Sequence, residues 1–286
     1  MAGLRKAIQR KGSGCGRLTR SEDELSHTNT QDVPMMNRLT AFVAVLLLLG
    51  FTQTLAEGKD NTKSTGDDAT DREMVKLQKK AKGLKTCRAV VSTTIRVGDQ
   101  EITIVAKGFY KGPGKMRIED DLPEGEGQLV LSDGSYLWML EKSENMVTRI
   151  NLARVYQVTK FEADVHHYDP LRPFRGVDWE TIRHTGQDTV GGVVHEAFEA
   201  VPLPSLLAAQ LPSPPAIVRL NVQPADGLLR IARLFDDKGN EILVQTFTEV
   251  QGNRELADEQ FEFIVPAGAH PMDATNEAIE FFRSAD

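Results

Sequence analysis

The chain has 286 residues, with 34 Lys and Arg against 41 Asp and Glu and a formal net charge of −7. Hydrophobic residues make up 40% of it, enough to bury a sizeable core, and the acidic balance excludes sequence-independent binding of nucleic acid as a principal function. Two cysteines, Cys15 and Cys87, exclude a small disulfide-stapled fold.

Residues 1–35 are basic and aperiodic, with Arg5, Lys6, Arg10, Lys11, Arg17 and Arg20. They are expected to form a disordered extension ahead of the true start at Met35 or Met36. From Met36 the chain reads Met-Asn-Arg, then an apolar run from Leu39 to Phe51, then Thr-Gln-Thr-Leu-Ala and a charged tract. A basic start, an apolar centre and a small residue before polar chain form a secretory signal over residues 36–56, with cleavage between Ala56 and Glu57. The alternative is an uncleaved inner-membrane anchor, for which the 18 uncharged residues Leu39 to Ala56 are just long enough. Without residues 1–56 the chain keeps 27 Lys and Arg against 37 Asp and Glu.

Residues 57–70 are expected to be a disordered linker, and residues 71–286 a single domain. Asp71 to Leu84 has a helical pattern, with Met74, Leu77 and Ala81 three to four residues apart. The period then changes to two. Strands are predicted over Ala89–Val97, Glu101–Ala106, Met116–Glu119, Gln128–Leu131, Tyr136–Leu140 and Val147–Ile150, and later over Val193–Val201, Ile217–Val222, Leu228–Phe235, Glu241–Val250 and Phe261–Val265. Gly98-Asp99, Asp133-Gly134, Asp226-Gly227 and Lys238-Gly239-Asn240 are the turns between neighbours. Short connections make the pairing antiparallel. The expected fold is mainly β (α+β), an open curved antiparallel sheet or half-barrel with the N-terminal helix packed on it. Two irregular apolar segments, residues 155–179 and the proline-rich residues 201–215, are expected to cover the core as lids, the second with one helical turn at Ser205–Gln210.

No catalytic set emerges. His166 and His167 are adjacent, so on extended chain they point to opposite faces, and no spacing supports His184, His195 or His270 as a third metal ligand. Cys87 has no partnering histidine and reads as a small buried residue. Ser132-Asp133-Gly134-Ser135 lacks a nucleophile elbow, and Gly112-Pro113-Gly114 is a hairpin without a following helix, so it cannot cradle phosphate. The expectation is a binder, not an enzyme, without cofactor or metal.

Several pieces in order resemble the periplasmic lipoprotein carriers of the LolA type. They are the signal followed by a helix and strand, Gly108 to Arg117, Leu131 to Trp138, Gly186 to Gly192, and Phe261 to Ala269. The resemblance implies a half-barrel with helical lids around an apolar cavity, and a monomer in the periplasm. It also implies a partner set of lipoprotein or lipid acyl chains, an inner-membrane transporter and an outer-membrane receptor. Acyl chains cost about 0.8 kcal/mol per CH₂ to expose to water, so such a carrier needs a large apolar concavity. The alternating strands offer Ile102, Ile104, Met116, Ile118, Leu129, Leu131, Trp138, Phe198, Leu220, Val222, Phe247 and Phe263 to line one. The alternative is a membrane-associated lipid or lipoprotein sensor, or an interaction domain of the same fold. Gly112 stands where the carriers commonly place an arginine that ties the lid shut, leaving Lys111 or Arg117 as substitutes.

Overall fold

A computed structural model describes residues 65–284 except 113, 121, 123–125 and 164–167. The basic extension, the secretory signal and most of the linker expected ahead of residue 65 lie outside the described residues, as do His166 and His167. No described helix is long and apolar enough to cross a membrane.

The described residues hold one curved, open sheet of twelve strands, mainly antiparallel. Six strands leave the centre of the sheet as a meander: β1 (Thr86–Val97), β2 (Gln100–Lys111), β3 (Lys115–Asp120), β4 (Gln128–Asp133), β5 (Tyr136–Glu141) and β6 (Met146–Asn151). The chain then forms α2 (Leu152–Thr159), crosses to the opposite edge and returns through β7 (Arg183–Val190), β8 (Val193–Ala200), β9 (Ile217–Val222), β10 (Leu229–Phe235) and β11 (Glu241–Gly252). β11 pairs with β1 and joins the two meanders, while the short β12 (Met272–Asp273) pairs parallel to β6 at the other edge.

Helix α1 (Asp68–Ala81) precedes the sheet. Asp67 caps it, accepting from the Ala69 amide at 3.0 Å and from Thr70 Oγ1 at 2.7 Å, which starts the helix three residues before the apolar spacing does. Its Met74, Leu77 and Ala81 are buried on the sheet, and Thr70 Oγ1 accepts from the His184 amide of β7 at 2.9 Å. The last helix, α3 (Thr275–Ser284), packs on α2 and stacks Phe282 on Phe161 at 5.3 Å.

Register assigns side chains to two faces. The inner face carries the larger apolar cluster: Cys87, Ala89, Val91 and Ile95 of β1, Tyr110, Met116, Ile118, Val130 and Leu137, and beyond the seam Phe247, Leu234, Leu220 and Phe198. The outer face carries a separate, smaller cluster of Leu129, Leu131, Leu140 and Val147. Gly108 is required on the inner face, because a Cβ there would lie 2.7 Å from Val91 Cγ2 and 2.9 Å from the Tyr110 ring.

The expected closing strand over Phe261–Val265 does not form. No edge is free there: the segment lies flat on the outer face, with a single 3-10 turn at Asp258–Phe261, and β12 occupies the edge of β6. α2, β7, β12 and α3 are elements beyond the predicted set, and α2 takes up the start of the 155–179 segment expected to be irregular. β7 is an edge strand exposed along most of its length, so it needs no apolar alternation.

The β9–β10 turn passes close under α1. At Gly227 φ is +75°, and a Cβ would strike the Leu77 carbonyl oxygen and lie 3.0 Å from the Ala81 nitrogen. Gly239 has a similar φ of +80° in open space. Gly239→Ala should therefore cost about 1 kcal/mol and Gly227→Ala about 3 kcal/mol or more, read from denaturant midpoints at equal m-value.

Candidate functional site

The twelve residues proposed from sequence to line a cavity fall on both faces of the sheet. Ile102, Ile104, Met116, Ile118, Phe198, Leu220, Val222 and Phe247 share the inner face. Leu129, Leu131, Trp138 and Phe263 are on the outer face, where Trp138 and Phe263 stack at 4.7 Å with 6° between their planes. On β4 and β5 it is Val130, Leu137 and Met139 that point inward. One concavity cannot take all twelve.

Two irregular segments cover the inner face. The crossing segment from β6 to β7 is tied to the seam, where the Tyr168 amide donates to Gln245 Oε1 at 3.0 Å and Gln245 Nε2 donates to Thr93 Oγ1 at 3.1 Å. Farther along, the Leu229 amide donates to the Pro170 carbonyl at 3.1 Å, and Phe174 meets Phe198 edge-on at 4.8 Å. The proline-rich segment is bound to the crossing one by a bridge between Val177 and Pro202 and by the Asp178 and Leu203 amides. It buries Leu206, Leu207 and Leu211 in the inner cluster and has a 3-10 turn at Ala208–Gln210. Both cover the core, as their apolar and proline content implied.

The cover leaves a margin. Ile102 and Ile104 face inward on β2 and stay half-buried, while Ala106 on the same strand is sealed. Phe161, Leu171 and Trp179 are partly buried in the cover and pack against the inner cluster. These three, with Met139, extend the apolar surface beyond the residues singled out from sequence.

Lys111 and Arg117 do not lock the cover. Both point outward and hold the C-terminal segment instead: Lys111 Nζ donates to the Leu256 carbonyl at 2.9 Å, and Arg117 Nη1 to that of Gln260 at 3.4 Å. Asp258 receives Lys115 Nζ at 2.7 Å, and its hydrogen bonds to Lys115 and Lys111 hold its carboxyl below the usual carboxylate range. Gly112 donates its amide to the Lys85 carbonyl at 3.0 Å.

Polar groups under the cover are few. His184 Nε2 lies 2.9 Å from Glu196 Oε2, and Gln187 Nε2 donates to Glu196 Oε1 at 2.9 Å. His195 is buried on the outer face opposite Asp188, and burial lowers its pKa, favouring the neutral ring. Among the described residues no group of three or more His, Cys, Asp or Glu is placed to hold a metal ion.

No family model and no curated protein sequence matches the chain. Solved structures similar to it include an uncharacterized conserved protein from Thermus thermophilus, with 13% identity over 72% of this chain and 99% of that one and a TM-score of 0.49. A LolA superfamily protein from Nitrosomonas europaea has 13% identity over 68% and 97%, with a TM-score of 0.38. The lipoprotein LppX of Mycobacterium tuberculosis has 15% identity over 67% and 98%, with a TM-score of 0.40.

Cys87 lies in the inner cluster with its thiol pushed up to about 12 by burial. Iodoacetamide at pH 8 should alkylate Cys87, followed by peptide mapping, at least about 100-fold more slowly in the native chain than in urea, because the thiolate is the reactive species.

Proposed function

We propose that this is an exported, non-catalytic protein that holds the acyl chains of lipids or lipoproteins against the inner face of its sheet and carries them through the periplasm towards the outer membrane. The observation that carries this reading is the construction of the cover. The apolar inner face is roofed by irregular, proline-rich chain instead of a second sheet, and its margin at Ile102 and Ile104 is left half-open. Irregular cover makes few ladder hydrogen bonds, so it can be displaced at lower cost than a paired sheet. An acyl chain would enter along Ile102 and Ile104 and take the place of cover side chains such as Leu206 and Leu207. The secretory signal, cleaved after Ala56, supplies the export step, and an inner-membrane transporter and outer-membrane receptor complete the route.

An environment-sensitive apolar dye should bind the protein purified from its own cells and be displaced by a palmitoylated peptide. Ile104→Asp should weaken dye binding roughly tenfold with the fold kept, since it adds a charge to a half-open apolar margin. Leu129→Asp, on the other face, should leave affinity unchanged while lowering stability by several kcal/mol. Absence of dye binding, or equal affinity in Ile104→Asp, would refute the reading.

A further inference from the structure

A row of polar residues crosses the inner face beside that margin. Register pairs Ala106 with Asp120 of β3, Gln128 of β4 with Glu141 of β5, and Glu141 with Met146 of β6. The Gln128 main-chain N–H donates to Asp120 Oδ2 at 2.9 Å, linking β4 to β3 in the row. It is one pleat beyond the apolar row Ile118, Val130 and Met139 on the same face. Ile104 and Ile102 continue β2 on the other side of Ala106. An extended chain lying along them therefore reaches the row at its Asp120 end, and must cross the sheet to bring its headgroup to Glu141, three strands from β2.

Glu141 is the unusual member. It is 6% exposed. Its Oε1 accepts from Ser143 Oγ at 2.9 Å, and its Oε2 is buried with no hydrogen-bond partner. A carboxylate oxygen held from water without a donor opposes folding, and an arriving donor would relieve it. The adjacent Lys142 does not serve, because its Nζ is committed to Glu119 Oε1 at 2.8 Å on the outer face. Asp120 adds a second acidic group two strands away, about 10 Å at ordinary strand spacing. Burial raises the Asp120 carboxyl pKa, and the charge of Glu141 adds to that rise.

We propose that Glu141, flanked by Asp120, forms a headgroup subsite that takes the protonated amine of an amphiphile whose chain lies along Ile102 and Ile104. A primary ammonium suits it: it is compact, donates three hydrogen bonds and neutralises the buried charge. The same chemistry is presented by an ethanolamine-type lipid headgroup and by a lysine beside the acyl site of a lipidated polypeptide. The subsite rests on acyl-chain binding to the inner face.

Competition for the bound dye in 0.15 M salt, where long-range attraction to an acidic protein is screened, tests it on the protein purified from its own cells. Dodecylamine should displace the dye at a concentration at least about tenfold below that of dodecyl sulfate, as one desolvated charge pair warrants. Glu141→Gln should abolish most of that preference and leave dye affinity unchanged, and Asp120→Asn should reduce it in part. Two further pairs identify the source: a lysophosphatidylethanolamine against its choline analogue, and an acylated peptide with and without an adjacent lysine. The pair whose difference depends on Glu141 names it. Equal displacement by dodecylamine and dodecyl sulfate, or a preference that survives both substitutions, overturns the subsite while acyl binding stands. A protein that binds neither dye nor amphiphile overturns both.

Discussion

The seam between β1 and β11 is the constraint on which the rest depends. Its register runs from Cys87 opposite Gly252 to Ile95 opposite Leu243, and its two buried polar residues, Thr93 and Gln245, are 152 positions apart in sequence. Closing so long a loop is entropically expensive before any contact repays it. Without the seam the chain is two modest meanders, each with one wet apolar face. With it the inner face becomes continuous, and the buried Gln245 couples the seam to the cover through the Tyr168 amide. One side chain thereby fixes the strand register and the position of the crossing segment, a use of buried polarity that favours uniqueness over raw stability.

Much of this was legible in the sequence, for local reasons. The turns at Gly98, Gly134, Gly227 and Gly239 all have positive φ, which glycine adopts at low cost, and between two-period runs they dictated hairpins. Ile217–Val222 was predicted to the residue. What could not be read was pairing between distant strands, and therefore which face each strand presents inward. A period of two says that Leu129 and Leu131 share a face, but not which one. The outer face also needed an apolar partner, and Phe263 on Trp138 provides it from a segment that looked like a strand by composition alone. α3 carries a legible signal of its own: Thr275, Ala278, Ile279 and Phe282 recur at helical spacing and are all buried. Glu141 gave no such signal, because its inward position on β5 follows only from the face that distant pairing selects.

The two faces are covered by different means. Inside, loosely paired chain lies over a broad apolar surface, with leucines and aromatics as its contacts. Outside, the C-terminal segment is fastened by Lys111, Lys115 and Arg117 at one end and by the Trp138–Phe263 stack farther on. It then reaches the edge of β6 through β12, and the chain turns onto α2 as α3. The firm cover and the yielding one thus sit back to back. That division suits the proposed function, in which the inner surface exchanges contents while the outer one keeps the strands in place.

The lateness of β11 in the chain bears on how the molecule is made. A polypeptide emerging N-terminus first lays down β1 to β6 and then waits for the strand that borders β1. Throughout that interval the edge of β1 is bare and the greasy side of the nascent sheet has no complete roof, both invitations to intermolecular pairing. The segment that follows β11 is also the one that clamps the outer face and caps β6. Truncation after β11 should therefore be read as loss of a keystone and not as trimming of a tail.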